Sequence, residues 1–192
     1  MSSLVISSNI NQKKVDSDIK FIADFIEFAK KLNWRVVVYG GYGLDGYLQT
    51  ITRNHGDIDL VMYGITPRSE ALPKIADYLN EVLKEVEIKP KDEDFFIDIK
   101  VKSKGLQGNF YYVQTGQDPF ISLNTVIKFD SSTVINSPKD FPPPVQGKLG
   151  ELSVEVQDQS AHLSDILRKR SDSEVLVKHD QDLENLKSIF QS

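Results

Sequence analysis

Two aspartates one residue apart, in Asp57-Ile58-Asp59-Leu60-Val61-Met62, are the residues of this chain best suited to chemistry. In an extended strand successive side chains point to opposite faces, so Asp57 and Asp59 share a face while Ile58, Leu60 and Met62 take the intervening positions. A carboxylate pair of this kind makes a divalent-cation site. Hard oxygen ligands suit Mg²⁺, which takes one or two carboxylates and completes its shell with water and substrate phosphate oxygens. Upstream, Gly40-Gly41 lies between an apolar run, Val36-Val37-Val38-Tyr39, and the helical spacing of Leu44, Tyr47 and Leu48. A glycine turn opening a helix brings backbone N–H groups close to an anion, and the helix N-terminus adds partial positive charge. Either feature alone has a plain reading, as turn punctuation or as the wet face of an edge strand. Joined within about twenty residues, they point to metal-dependent chemistry on a nucleotide.

The full run, Gly40-Gly41-Tyr42-Gly43-Leu44-Asp45 followed by Thr52-Arg53-Asn54-His55-Gly56-Asp57-Ile58-Asp59, resembles the signature of the antibiotic nucleotidyltransferases. These are the aminoglycoside and lincosamide adenylyltransferases of the DNA-polymerase-β-like superfamily. The pattern is Gly-Gly-aromatic, an Asp three residues later, then Thr-Arg-x-His-x-Asp-Ile-Asp. Two positions depart from it: the aromatic, usually Trp, is Tyr42, and the residue before the first metal carboxylate, often Asp, is Gly56. The resemblance implies an α/β fold of the α+β type, with a mixed sheet covered by helices and a small, mainly helical C-terminal segment. It implies transfer of AMP from ATP, with Mg²⁺, to a hydroxyl of a small, cationic, amine-bearing acceptor.

That likeness assigns Asp57 and Asp59 to metal and catalysis and requires a third carboxylate on a later strand. Asp98 is the candidate and Asp94 the rival, in Asp94-Phe95-Phe96-Ile97-Asp98-Ile99-Lys100-Val101-Lys102. Phe95, Ile97, Ile99 and Val101 share one face there, and Asp94, Phe96, Asp98, Lys100 and Lys102 the other. Asp98 would also help deprotonate the acceptor. Gly40 and Gly41 are expected to seat the triphosphate. Arg53 is expected to hold phosphate or pair with Asp57 or Asp59, and His55 to orient phosphate or a metal-bound carboxylate. Lys100, Lys102 and the basic run Arg168-Lys169-Arg170 are further candidates for phosphate, or else solvated faces and a helix end.

The elements that must position these groups follow from periodicity. Ile19, Ile22, Phe25, Ile26, Ala29 and Leu32 give an amphipathic helix before the Gly-Gly strand. A second helix starts at Thr66-Pro67 and Ser69, carries Leu72, Ile75, Leu79 and Val82, and stops at Lys89-Pro90. The Asp98 strand follows, then strands at Phe110–Val113 and Phe120–Leu123. Helices are expected on one side of the sheet. The proline cluster Phe141-Pro142-Pro143-Pro144 with Gly147 and Gly150 divides the chain into a catalytic domain, 1–145, and a C-terminal segment, 146–192, that packs on it. That segment reads as a strand at Leu152–Val156, a helix with Ala161, Ile166 and Leu167, and a last helix from about Asp180 in Asp180-Gln181-Asp182-Leu183-Glu184-Asn185-Leu186, another family-like run.

Composition narrows the alternatives. The 192 residues are 40% hydrophobic, enough for one good core. A net charge of -5 gives no basic footprint for nucleic acid, so an RNA-directed transfer is disfavoured. With no cysteine, disulfides, thiolate catalysis and Cys-ligated zinc are excluded. No apolar stretch approaches the length of a membrane span and the start lacks a signal-peptide pattern, so a cytoplasmic protein is expected. The competing reading keeps the fold and changes the partner: a nucleotidyltransferase-fold protein acting on or binding a protein or RNA, in a toxin–antitoxin or regulatory setting.

Overall fold

In a computed structural model the described residues are 6–92, 96–115, 143–163 and 176–190. They form a seven-stranded mixed sheet with helices. The chain enters through helix α1 (Gln12–Lys31), opened by Asn11, whose side chain accepts from the Lys14 backbone N–H. Strand β1 (Arg35–Tyr39) runs directly into helix α2 (Gly40–Leu48), and strand β2 (Ile58–Gly64) returns antiparallel to β1. Helix α3 (Arg68–Val82) then leads to strands β3 (Glu87–Asp92), β4 (Phe96–Ser103) and β5 (Leu106–Gln114). Hairpin β6 (Val145–Leu149) and β7 (Leu152–Val156) precedes helical residues 159–163 and helix α4 (Leu176–Phe190). No described helix is long and apolar enough to cross a membrane.

The strand order is β3-β4-β5-β2-β1-β7-β6. Two parallel contacts, β2 with β5 and β1 with β7, join antiparallel pairs on either side. Alternation sorts the side chains of the central strands into two layers. Val36, Val38, Ile58, Leu60, Met62, Ile97, Ile99, Phe110 and Tyr112 form the main core with Phe21, Ile22 and Phe25 of α1 and Ala71, Ile75 and Leu79 of α3. On the opposite face, Val37, Tyr39, Val61, Tyr63, Phe96 and Val113 make a second, smaller cluster. Asp59, Asp98 and Asn109 belong to this second face by the same alternation.

Three sequence expectations change. The α3 helix ends at Val82, before Lys89-Pro90, and those two residues lie inside β3. Pro90 is tolerated because β3 is the edge of the sheet, where a missing N–H costs no ladder bond. The Gly147–Gly150 region is a strand and tight turn: Gly150, at φ 59, turns β6 into β7, and a Cβ on Gly147 would meet the Gly46 carbonyl oxygen at 2.5 Å, so α2 packs closely on the hairpin. β6 begins at Val145, and its hairpin joins β1 through β7 in the common sheet. The last helix starts at Leu176, a few residues before Asp180. The strand at Phe120–Leu123, Asp94, Ile166, Leu167 and the basic run at 168–170 lie outside the described residues.

Candidate active site

The β1–α2 junction builds the site. Tyr39 is extended, at φ -115 and ψ -176, and Gly40 begins the helix at φ 60, in the left-handed region that favours glycine. Neither the cap residue nor the first turn supplies a side chain to the backbone N–H groups there, which have no partner within the helix. The glycines also admit two close neighbours. A Cβ on Gly40 would lie 2.1 Å from Asp59 Oδ2, and a Cβ on Gly41 would lie 2.1 Å from His55 Nδ1. The carboxylate strand and the site loop are therefore pressed against the helix N-terminus, with no room for any side chain between.

Every residue of the loop from Thr52 to His55 is fastened. Thr52 donates through Oγ1 to Asp45 Oδ1 at 2.7 Å, and its carbonyl accepts from the Ser7 N–H at 2.7 Å. Arg53 forms a bidentate pair with Asp182 of α4, Nε to Oδ1 at 3.0 Å and Nη2 to Oδ2 at 2.9 Å. Asn54 reaches the Asn9 carbonyl and accepts from the Asn11 N–H, each at 2.7 Å. His55 holds Asp45 Oδ2 at 2.6 Å through Nε2, while its Nδ1 lies 3.0 Å from Arg53 Nη1. An arginine only donates, so Nδ1 accepts and the ring proton sits on Nε2, where it donates to Asp45. Burial opposes the Arg53 charge, but Asp182, with Asp45 and Asp57 nearby, holds its pKa above the ordinary arginine value. Gly56 and Asp57 then emerge exposed, and Asp59 is half-buried on β2.

These contacts assign positions to the expected residues. Asp59 meets Gly40, His55 meets Gly41, and Asp57 stands exposed just before β2. The expected pairing of Arg53 with Asp57 or Asp59 gives way to Asp182, and the ring nitrogens of His55 are engaged by Asp45 of α2 and by Arg53. Asp45, unassigned by sequence reasoning although the motif contains it, is fully buried and anchors Thr52 and His55. The departure at Tyr42 has a local partner: its hydroxyl donates to buried Asp18 of α1 at 2.6 Å, Lys14 pairs with the same oxygen, and the ring packs on His55 with centroids 4.4 Å apart. Burial, then Asp18, pushes the Tyr42 hydroxyl pKa well up.

Asp98 stands elsewhere. It lies on β4 in register with Tyr111 of β5, which is itself in register with Val61 of β2. Strands are spaced at roughly 4.8 Å, so the β4 backbone is about 10 Å across the sheet from that of β2. Among the described residues no group of three or more acidic or histidine side chains converges as a metal site. Asp98 faces the same side of the sheet as Asp59, two strands away. Lys100, exposed, shares the row of Asp59 and Asn109.

A helix N-terminus in contact with a carboxylate strand, on this mixed sheet, is the arrangement that the sequence resemblance leads one to expect. A model of the aminoglycoside-2''-adenylyltransferase family matches residues 22–104, the stretch that runs from α1 to β4. The fold is also that of solved structures at low identity. The lincosamide antibiotic adenylyltransferase LnuA, lincomycin-bound, superposes with a TM-score of 0.62 at 18% identity, over 95% of this chain and 99% of that chain. ANT(2'')-Ia in complex with adenylyl-2''-tobramycin gives 0.58 at 13% identity, over 90% of each. An antigenic nucleotidyltransferase-like protein from Paracoccidioides brasiliensis gives 0.50 at 11% identity, over 95% of this chain and 78% of that one. No curated protein sequence matches the chain at a significant level.

Proposed function

We propose that the protein transfers AMP from ATP to a hydroxyl of a small, cationic, amine-bearing molecule such as an aminoglycoside or lincosamide. The observation that carries this reading is the contact between Asp59 and Gly40, which puts a carboxylate beside a helix N-terminus so that one substrate group can meet both. The first-turn N–H groups of α2 bind the triphosphate oxygens, helped by the helix dipole. Asp57 and Asp59 fit a hard divalent ion, being oxygen donors at and just before the start of β2, and would hold Mg²⁺. When bound, that ion neutralises charge on the phosphates.

The chain's own contribution is then positioning and charge. The Thr52–His55 loop, fastened to α1, α2 and α4, fixes where Asp57 points relative to Asp59. The acceptor hydroxyl attacks the α-phosphorus in line, its bond to phosphorus forms as the bond to pyrophosphate breaks, and the hydroxyl proton leaves to solvent or to a nearby base. Asp98, on the same face of the sheet two strands from β2, is the candidate for that base. Carboxylates facing the acceptor side favour a cationic molecule. The proposal draws support from the ligands in the related structures, lincomycin in one and adenylyl-2''-tobramycin in the other.

Calorimetry and a pyrophosphate-release assay test this. ATP should bind more tightly with Mg²⁺ than with EDTA, and some amino-sugar or lincosamide in a broad panel should stimulate pyrophosphate release. Metal-independent ATP binding sinks the carboxylate-pair reading. A silent panel, with a co-purifying protein or RNA becoming adenylylated instead, transfers the acceptor role to a macromolecular partner.

A further inference from the structure

The place beside Asp59 on the neighbouring strand is filled by an amide. In the parallel pairing of β2 with β5, Asp59 is in register with Asn109, and Asn109 Nδ2 donates to Asp59 Oδ1 at 2.8 Å. The other carboxylate oxygen, Oδ2, lies where Gly40 lacks a side chain. One oxygen is thus set by an amide and the other by a glycine gap, which together fix the plane of the carboxylate. Both residues are half-buried and on the second face of the sheet. A donor held by a strand ladder is more rigid than one on a loop, and a hydrogen bond to a carboxylate is stronger than one between neutral groups.

We infer that Asn109 is the third member of the carboxylate site, a positioning residue that orients Asp59 toward the divalent ion and, being neutral, leaves that ion only the charge of two carboxylates. This rests on the proposal that Asp57 and Asp59 bind metal. It makes Asn109, and not Asp98, the β-strand residue on which metal affinity depends. Residues that orient metal ligands by hydrogen bonding are worth roughly 10- to 100-fold in metal affinity or activity.

Binding of Mn²⁺ alone to the full chain, followed by the loss of free-ion electron paramagnetic resonance signal, reads this without turnover, and circular dichroism checks the fold of each variant. Asn109→Ala should weaken Mn²⁺ by roughly 10-fold or more. At saturating Mn²⁺ its kcat should stay reduced while KM for ATP changes little. Asn109→Asp should lower the melting temperature of the metal-free protein by setting like charges side by side, and Mn²⁺ should then raise it more than in the wild type. Asp98→Asn should leave Mn²⁺ affinity within about twofold of wild type, since no group of three acidic side chains converges on one ion among the described residues. Wild-type affinity in Asn109→Ala, or a loss of affinity in Asp98→Asn comparable to the one expected for Asn109→Ala, overturns the inference. If the wild type shows no saturable Mn²⁺ binding, the carboxylate-pair reading fails first and this inference falls with it.

Discussion

The β1–α2–β2 unit at the centre of the sheet and the β4–β5 pair beside it both contribute to the candidate site, but they do so by different rules. At the first, chemistry is local: Gly40, Gly41, Arg53, His55, Asp57 and Asp59 fall within twenty residues, and one turn and one loop bring them together. At the second, the neighbour of Asp59 is set by the pairing of β2 with β5, fifty residues away in the chain. A hydrophobic-Asp-hydrophobic pattern cannot tell which strand lands beside which. The strand bearing Asp98 has that pattern; the strand that lands beside Asp59 carries Asn109.

The comparison breaks most decisively at the carboxylate pair. Asp57→Asn or Asp59→Asn should lower transfer by about 10³-fold or more, because several kcal/mol of charge stabilisation are lost at 1.36 kcal/mol per decade. Removal of divalent ions by EDTA should have the same effect, measured as pyrophosphate release. Activity retained in either variant would move the site off β2.

Next in size is the tie between the site loop and α4. The Arg53 and Asp182 side chains are 14% and 6% exposed, so removing one leaves the other charged in a mostly buried place. Arg53→Ala or Asp182→Ala should destabilise the fold by about 3 kcal/mol, seen as a lower urea midpoint. A loss below about 1 kcal/mol would mark the pair as a surface contact.

Asp98→Asn sharpens the difference between the two regions. Were Asp98 the general base, transfer would fall by roughly 10²- to 10⁴-fold. Asp98, as the candidate base, should show that fall, and transfer that stays within about threefold of wild type would remove it from the mechanism. Initial rates at saturating ATP and acceptor decide between them.

The smallest effect is alkaline. Burial raises the pKa of Tyr112 on β5 and Tyr78 on α3 to about 12, and that of Tyr42 on α2 further. A folded-state pKa above the unfolded value of 10.0 means the folded chain keeps protons that the unfolded chain has lost. Stability is therefore fully present below pH 10 and declines as pH rises from about 10 toward 12. Phenolate absorbance rising in one cooperative step with unfolding checks this; independent titration near pH 10 would show these hydroxyls to be open to water.

Much of the fold was legible because its signals are periodic. The α1 and α3 cores, the β1 and β2 strands and the alternation on β4 follow from apolar spacing at 3.6 or 2 residues. The misread stretches carry residues whose meaning depends on position in the sheet. Pro90 breaks a central strand but is harmless on the edge, and Gly147 marks a loop unless a helix packs on it. Arg53 and His55 were legible as members of a motif but not as contacts, since Asp182 and Asp45 reach them through the folded chain. Asn109 gave no signal, because an amide in Gly108-Asn109-Phe110 has no meaning until β5 is laid beside β2.

The Arg53–Asp182 pair has a bearing on how the protein is made. Synthesis delivers Arg53 first and Asp182 129 residues later, while domains begin to fold as they emerge. The sheet strands that carry Asp59 and the core of α1 can pack early, but the loop that aims Asp57 is fastened at its arginine only when α4 arrives. A nascent chain of this protein is thus a folded sheet before it is a finished active site.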